Sequence, residues 1–532
     1  MKVKKFMLWL LILAMAVTFI GCGAKNEPVA IDEGTGEIPE TLSIYTNTSA
    51  YSRAAGAKDN NDLLCFQAME ELTGCHVEWI HPPVGGGSEK FNLIIASGEL
   101  PDMMVTSWAR ISGGAKMYAD DGIIIPLSGL IKKYMPNLSA YMEEHPEVAK
   151  QFTNDEGEIY YIPFIRRDPE LKVFEGPIIR QDWLDKLGLD TPSNPDELYK
   201  VLKAFKEDDP NGNGKKDEIP MTAIGFENSS YGIGDLLWMF GTTYDYYIGD
   251  DGKVTHGILE DNFEEGLKYI IQLYKEGLID PDYILNDTDK LSGKIMNDQA
   301  GFAYSAQPSK YYANMNDGVR KVVGIPHLKK DGVKHNVFEE AYVMDVTTIS
   351  MAVTTANKNP SGSLRWFDNF YGGKGMEIFN SGVEGVSYER DANGQPKFTD
   401  YIFNNPNGKS SQEMQGLTIG TTQSPFPAMQ LWNNYSQTLA PWGKESVEIW
   451  MNSANADGVL AKFCLSLTEE ENDIVTKRTS EIATYFVENI NKIIIGNADI
   501  STLPKIRETV KQMGIDEVID IYNAALERYN KR

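Results

Sequence analysis

The chain is short of the residues on which most enzymes and nucleic-acid binders depend. Histidine occurs only six times in 532 residues, and none falls in a His-Glu-x-x-His zinc motif. A Gly-x-Ser-x-Gly elbow, a Walker A loop and a dinucleotide fingerprint are all missing; Gly85-Gly-Gly87 lacks the strand and helix that would give it meaning. Cysteine occurs four times with no Cys-x-x-Cys pair, which excludes a zinc ribbon. Basic residues are outnumbered, 50 against 76 acidic, and the net charge of −26 argues against a nucleic-acid footprint. No apolar run reaches the roughly 20 residues of a membrane span. So many carboxylates make some close pair unavoidable, so their number says nothing about a glycosidase acid–base pair. Catalysis is not expected.

What is present begins with an export signal. Lys2, Lys4 and Lys5 precede an apolar run from Phe6 to Ile20, closed by Phe19-Ile20-Gly21-Cys22. The closing residues resemble a bacterial lipobox, in which Cys22 receives diacylglycerol and becomes the first mature residue; Phe19 departs from the usual Leu. Residues 1–21 are therefore expected as a lipoprotein signal peptide. Residues 22–40 are polar and bear Gly and Pro, and are expected as a flexible tether. Of the remaining thiols, Cys65, Cys75 and Cys464, at least one stays unpaired. A Cys65–Cys75 bridge and two free thiols are equally compatible with their spacing.

The body has 42% hydrophobic and 11% aromatic residues, as a folded protein requires, and length alone suggests roughly three domains. Thr41–Tyr45 alternates like a strand, Asp62–Leu72 has helical spacing, and Val77–Ile80 is a second strand. A helix ending at Ser97-Gly98 and the apolar Met103–Val105 continue the alternation, which predicts an α/β lobe with a mostly parallel sheet. Glu158–Pro163 reads as a strand leaving that lobe. Asn194-Pro195 predicts an N-cap with Pro at the first helical position, ahead of Leu198, Leu202 and Phe205 on one face. Phe263, Leu267, Ile270, Ile271 and Tyr274 form a second stripe, closed by Gly277. The chain from Thr468 onward reads as long helices.

Between the first of those stripes and the next strand lies Asp209-Pro-Asn-Gly-Asn-Gly-Lys-Lys-Asp-Glu-Ile-Pro220. Side-chain oxygens at Asp209, Asn211, Asn213 and Asp217, the Lys215 carbonyl, and Gly214 at the sixth position match the spacing of an EF-hand calcium loop. Pro220 stands where the bidentate Glu belongs, and Glu218 is placed to substitute. The competing reading is an ordinary Asn/Gly turn.

These motifs, together with Leu100-Pro-Asp102, Arg180-Gln-Asp-Trp-Leu-Asp-Lys-Leu-Gly188, Leu273-Tyr-Lys-Glu-Gly-Leu-Ile-Asp-Pro281 and Gly382-Val-Glu-Gly-Val-Ser-Tyr388, resemble extracellular solute-binding lipoproteins of family 1 over roughly residues 40–525. The resemblance implies an α/β, two-lobed, periplasmic-binding-protein-like fold of type II with the ligand cleft between the lobes. It places residues 41–163 in the N-terminal lobe, with about 345–395 returning to it. Residues 164–344 then form the C-terminal lobe with the calcium loop, completed by about 396–532. It also implies a lipid-anchored, monomeric oligosaccharide receptor on the outer face of a Gram-positive cell membrane, partnered by ABC-transporter permease subunits. The calcium would be structural and held by Asp209, Asn211, Asn213, the Lys215 carbonyl, Asp217 and Glu218, away from the cleft. A peptide- or signal-binding lipoprotein and a polysaccharide-degrading enzyme are the alternatives.

A sugar receptor needs aromatic platforms with amide, carboxylate and guanidinium groups around them. Trp108 follows a strand end, where crevices open in α/β sheets. Tyr160 or Tyr161, with Arg166, lies at the first crossover. Trp238, Tyr304, Trp442 and Glu384 complete the candidate set. For Trp238, flanked by apolar residues, and for Trp183, core packing is the stronger reading. Arg166, Arg167 and Arg180 have the planar guanidinium that suits uronate carboxylates, although surface salt bridges are the commoner fate of such residues.

Overall fold

The computed structural model describes residues 32–532 except 174, 227–230, 307, 310, 312–314, 316–320, 339–345, 406–407, 424–425 and 456–463. The expected signal peptide and Cys22 lie outside the described residues. Four strands alternate with helices in the first part: β1 (Thr41–Tyr45), β2 (His76–Ile80), β3 (Met103–Thr106) and β4 (Ile162–Arg166). The chain then crosses to β5 (Glu175–Arg180), β6 (Ile219–Met221), a hairpin of β7 (Tyr246–Ile248) and β8 (Val254–His256), β9 (Ala300–Ala306) and β10 (Val322–Gly324). It returns through β11 (Val346–Val353), a surface hairpin of β12 (Tyr388–Arg390) and β13 (Pro396–Phe398), and the two-residue β14 (Met429–Gln430).

Two sheets result, each at the centre of its own lobe. The first has the order β14-β4-β11-β3-β1-β2, parallel except where β11 runs antiparallel to both β3 and β4. The second has the order β10-β5-β9-β6, with only β6 and β9 parallel. Central strands buried on both faces carry apolar residues throughout, as Ile162–Ile165 does. One face of the first sheet packs on an aromatic cluster in which Phe426 meets Phe66 at 5.4 Å and Phe370 at 5.1 Å between ring centroids. Edge-on ring pairs such as Phe426–Phe66 add about 0.5–1.5 kcal/mol each beyond their buried area.

In the second lobe Asn194 caps helix Pro195–Glu207 by accepting from Glu197 N–H at 3.0 Å, with Pro195 in the first turn. Leu198, Val201, Leu202 and Phe205 are buried beneath it. Helix Asp261–Lys275 buries Phe263, Leu267, Ile270 and Leu273, while Ile271 and Tyr274 are only partly covered. The capping box of Thr468 with Glu471 starts helix Glu469–Ile494, which packs on this lobe through Ile482, Phe486 and Ile490.

Two boundary expectations need correction. Residues 400–430 do not complete the second lobe: β14 pairs with β4, and helix Ser411–Thr418 packs on helix Ala50–Ala54 of the first. A two-residue strand leaves no periodicity to read. Residues 32–40 are not a free tether either, because Asn359 Oδ1 accepts from Thr35 and Gly36 N–H, and Glu33 accepts from Tyr134 OH at 2.6 Å. Cys65 and Cys75 are free and buried, and burial pushes both thiols up to about 12.

Candidate functional site

A cavity of about 1360 Å³ opens between the lobes. The first lobe supplies the turn after β3, the 151–161 segment, Arg166 on β4, Thr347–Ile349 on β11 and Gln430 on β14. The second supplies Glu175 at the start of β5, Trp238, the Thr243–Tyr247 run into β7, and Thr468–Thr479 at the head of the long helix. Strand ends and helix starts gather there because each sheet directs one edge of its connecting segments toward the other lobe.

Of the expected ligand contacts, the fold brings Trp108, Tyr160, Tyr161, Arg166 and Trp238 to this wall. They are not equivalent. Trp108 exposes 0% of its surface, donates its indole N–H to the Met104 carbonyl at 2.9 Å, and packs edge-on against Phe91 and Tyr118. It stiffens the wall and offers no open ring face. Trp238 is buried with its ring 5.6 Å from that of Tyr304. Tyr160 and Tyr161 are half-buried, and burial raises both phenols above the usual tyrosine range. Burial pulls the Arg166 guanidinium down to about 10, with Tyr435 and Glu175 opposing the fall.

The other three lie elsewhere. Tyr304 stands behind Trp238, 4% exposed, because its position on β9 points it into the core. Glu384 is held by Arg390 through bonds of 3.0 Å to each carboxylate oxygen, in a surface cluster with Glu377 and Lys374. Trp442 sits in the first turn of helix Pro441–Ser453 outside the cavity. Arg180 is also structural: Asp182 and Asp298 flank it and its guanidinium lies 4.6 Å from the Trp183 ring.

The residues that sequence reasoning missed are mostly tyrosines. Tyr244, Tyr246 and Tyr247 line the cavity from the second lobe, Tyr435 from the first, and Phe338 packs edge-on against Tyr247 at 5.0 Å. Their signal was the dense Tyr244-Asp-Tyr-Tyr247 run, too polar for a core and too aromatic for an ordinary loop. Asp155, also in the wall, accepts from Arg528 Nε at 2.8 Å and from Arg532 Nε at 2.9 Å. These arginines sit on helix Ile515–Lys531 and just past it, and that helix packs on the second lobe, so the pairs tie the lobes together beside the cleft.

No residue of the 209–220 loop lines the cavity. Asp209, in the left-handed region at φ 47°, accepts from the N–H groups of Gly212, Asn213 and Gly214 at 2.9–3.1 Å. Burial raises its carboxyl, but the three backbone donors outweigh that and hold it below the usual range. Asn211 and Asn213 accept from the N–H groups of Asn213 and Lys215, and Asn213 donates to Asp217 at 2.9 Å. Glu218 is 8% exposed, and neither of its carboxylate oxygens has a hydrogen-bonding partner of acceptable geometry. Burial raises its carboxyl, helped by the neighbouring Asp209 carboxyl and opposed by the backbone at Asn211 and Glu218. Among the described residues no group of three or more His, Cys, Asp or Glu gathers at metal-binding distance. Oxygen donors for a cation here thus have to include Asn side chains and a carbonyl, which is the donor set a hard divalent ion accepts.

Comparison with known proteins fits this geometry. The model of a bacterial extracellular solute-binding protein family matches residues 46–377. The chain is 34% identical over 390 residues to the fructooligosaccharide ABC transporter substrate-binding protein FusA of Streptococcus pneumoniae serotype 4, covering 70% of each. It is 26% identical to lipoprotein LipO of Bacillus subtilis, covering 73% of this chain and 75% of LipO. The structure of FusA with kestose superposes with a TM-score of 0.74 at 27% identity, over 92% of this chain and 99% of that one. An EF-hand mutant of FusA has been solved with fructo-nystose. Alginate-binding protein AlgQ2 without calcium ion superposes with a TM-score of 0.69 at 25% identity, over 92% of this chain and 98% of AlgQ2.

Proposed function

The chain belongs to the bacterial extracellular solute-binding protein family, and we propose from that premise that it captures an oligosaccharide between its lobes and delivers it to the permease of an ABC importer. The observation that carries this reading is a cleft of about 1360 Å³ lined by aromatic side chains from both lobes, Tyr160 and Tyr161 from the first and Trp238 and Tyr247 from the second. That volume exceeds the roughly 300–1,000 Å³ of ordinary small-ligand pockets. Sugars offer flat C–H faces to such rings and hydroxyls to the amides and carboxylates between them. A ligand touching both walls binds the closed arrangement better than the open one and shifts the population toward it. The family and its relatives are binding proteins, and the ligand leaves this one unaltered.

Saturable quenching or enhancement of tryptophan fluorescence on titration with oligosaccharides is the expected result. Flat titrations across a broad glycan panel, with a response to peptides, would sink the reading. Release of shortened products from a polysaccharide by the purified protein would replace it with the enzymatic one.

The 209–220 loop is assigned a structural calcium ion, held by Asp209, Asn211, Asn213, the Lys215 carbonyl, Asp217 and Glu218. The Glu218 carboxyl, buried against the carboxyl of Asp209, supports this, because two carboxylates held that close repel one another unless a cation stands between them. The loop joins helix Pro195–Glu207 to β6, so an ion there would lock one edge of the second sheet. Attachment through diacylglycerol on Cys22 would hold the receptor at the outer face of the membrane. No helix among the described residues is long and apolar enough to cross one. Replacing Cys22 with Ala should release the protein into the medium.

A further inference from the structure

The charge of the cleft narrows the ligand class. The first lobe contributes five carboxylates to the wall, Asp120, Asp121, Asp155, Glu156 and Glu158, and the second contributes Glu175, Asp245 and Glu469. Against these eight stand three basic residues among the described residues of the wall, Arg110, Lys116 and Arg166. Lys116 is paired with Asp120 at 2.6 Å, and Asp155 with Arg528 and Arg532; with every basic residue of the described wall matched to a carboxylate, acidic residues remain in excess. Arg166 is itself flanked by Glu175. The two other guanidinium groups suited to carboxylates are out of reach: Arg180 is enclosed by Asp182 and Asp298, and Arg167 is not part of the wall.

We propose that the cleft selects an uncharged oligosaccharide and rejects uronides. This rests on the oligosaccharide reading above and names its ligand class. A uronide brings one carboxylate per sugar into a cleft already lined by carboxylates, whose summed negative field repels it. Neutral sugars bring hydroxyl donors instead, which carboxylate, Thr and amide oxygens accept. The remaining polar lining, including Gln151, Asn154, Thr243, Thr347 and Gln430, is uncharged and suits that task.

The test is isothermal titration of the full protein with neutral tri- to pentasaccharides of fructose, glucose, xylose and galactose, and with galacturonate and alginate oligomers of matched length. At least one neutral series is expected to bind at least a hundredfold more tightly than every uronide, with the gap narrowing as salt rises from 50 to 500 mM. A uronide that binds as well as the best neutral sugar overturns this inference and leaves the oligosaccharide reading standing. Absence of binding in both series overturns both. In the variant Asp121→Asn/Glu156→Gln/Asp245→Asn the ratio of uronide to neutral affinity should rise about tenfold, and an unchanged ratio counts against the inference.

Discussion

The 209–220 loop and the interlobe cleft solve the problem of placing polar groups in opposite ways. The loop draws its oxygens from twelve consecutive residues, and backbone donors at Gly212, Asn213 and Gly214 position Asp209 without help from distant chain. The cleft draws on residues as far apart as Trp108 and Tyr522, and only the docking of two sheets brings them together. A local device keeps its geometry whenever its own short segment is folded. A distributed device depends on the angle between two bodies and can therefore open and close, which is what a carrier requires.

If that contrast is right, the two regions should fail independently. The largest effect is expected from calcium removal. A chelator should lower the melting temperature by several degrees, since an ion at a hundred times its Kd stabilises by about 2.7 kcal/mol. Calcium should restore it and magnesium should not, because octahedral demand suits this loop poorly. The glycan titration should keep its midpoint; a large shift would show the loop and cleft to be coupled. Asp209→Ala should abolish the chelator response altogether.

Next in size, Tyr160→Ala and Tyr247→Ala should each weaken glycan binding by about tenfold, or ~1.4 kcal/mol. The chelator response should be untouched in both. Normal affinity in both variants would remove the half-buried tyrosines from the ligand site.

A smaller effect tests the tie between lobes. Arg528→Ala should lower stability by roughly 0.2–1 kcal/mol, since the pairs with Asp155 and Glu471 are partly exposed to screening water. Burial raises the Glu471 carboxyl, but Arg528 and the Thr468 N–H outweigh that and hold it below the usual carboxylate range. A carboxyl lowered on folding stabilises fully above its ordinary value and loses that contribution as pH falls through the folded value. Melting curves at pH 7 and below pH 4 should therefore differ less in Arg528→Ala than in the parent. Smallest of all, Glu384→Ala should leave glycan affinity unchanged, because Arg390 already engages both carboxylate oxygens outside the cleft.

The same contrast governs how much of the molecule could be read in advance. Helix Pro195–Glu207 was legible to its first residue because Asn194 caps within three residues, Pro195 sits in the first turn, and the apolar stripe repeats every three or four residues. The burial of Trp108 in the wall, and of Tyr304 behind it, was not legible for the opposite reason. Trp108 sits just beyond β3 and Tyr304 within β9, but burial depends on what packs over each, and Phe91, Tyr118 and Trp238 come from other segments. Glu384 looked exposed between two glycines and was, yet its partner Arg390 belonged to the hairpin that follows. β14 joined the first sheet by only two residues, Met429 and Gln430, paired with Ile165 and Arg166.

Amino-acid order alone determined the export signature, the helix caps, the alternation of strands and helices, and the oxygen spacing of one loop. Each of these is set by interactions spanning a few residues of backbone. Tertiary structure decided which aromatic rings face the gap, which arginines are consumed by neighbouring acids, and how negative the gap is. Those are sums over two surfaces, and no stretch of chain contains both of them.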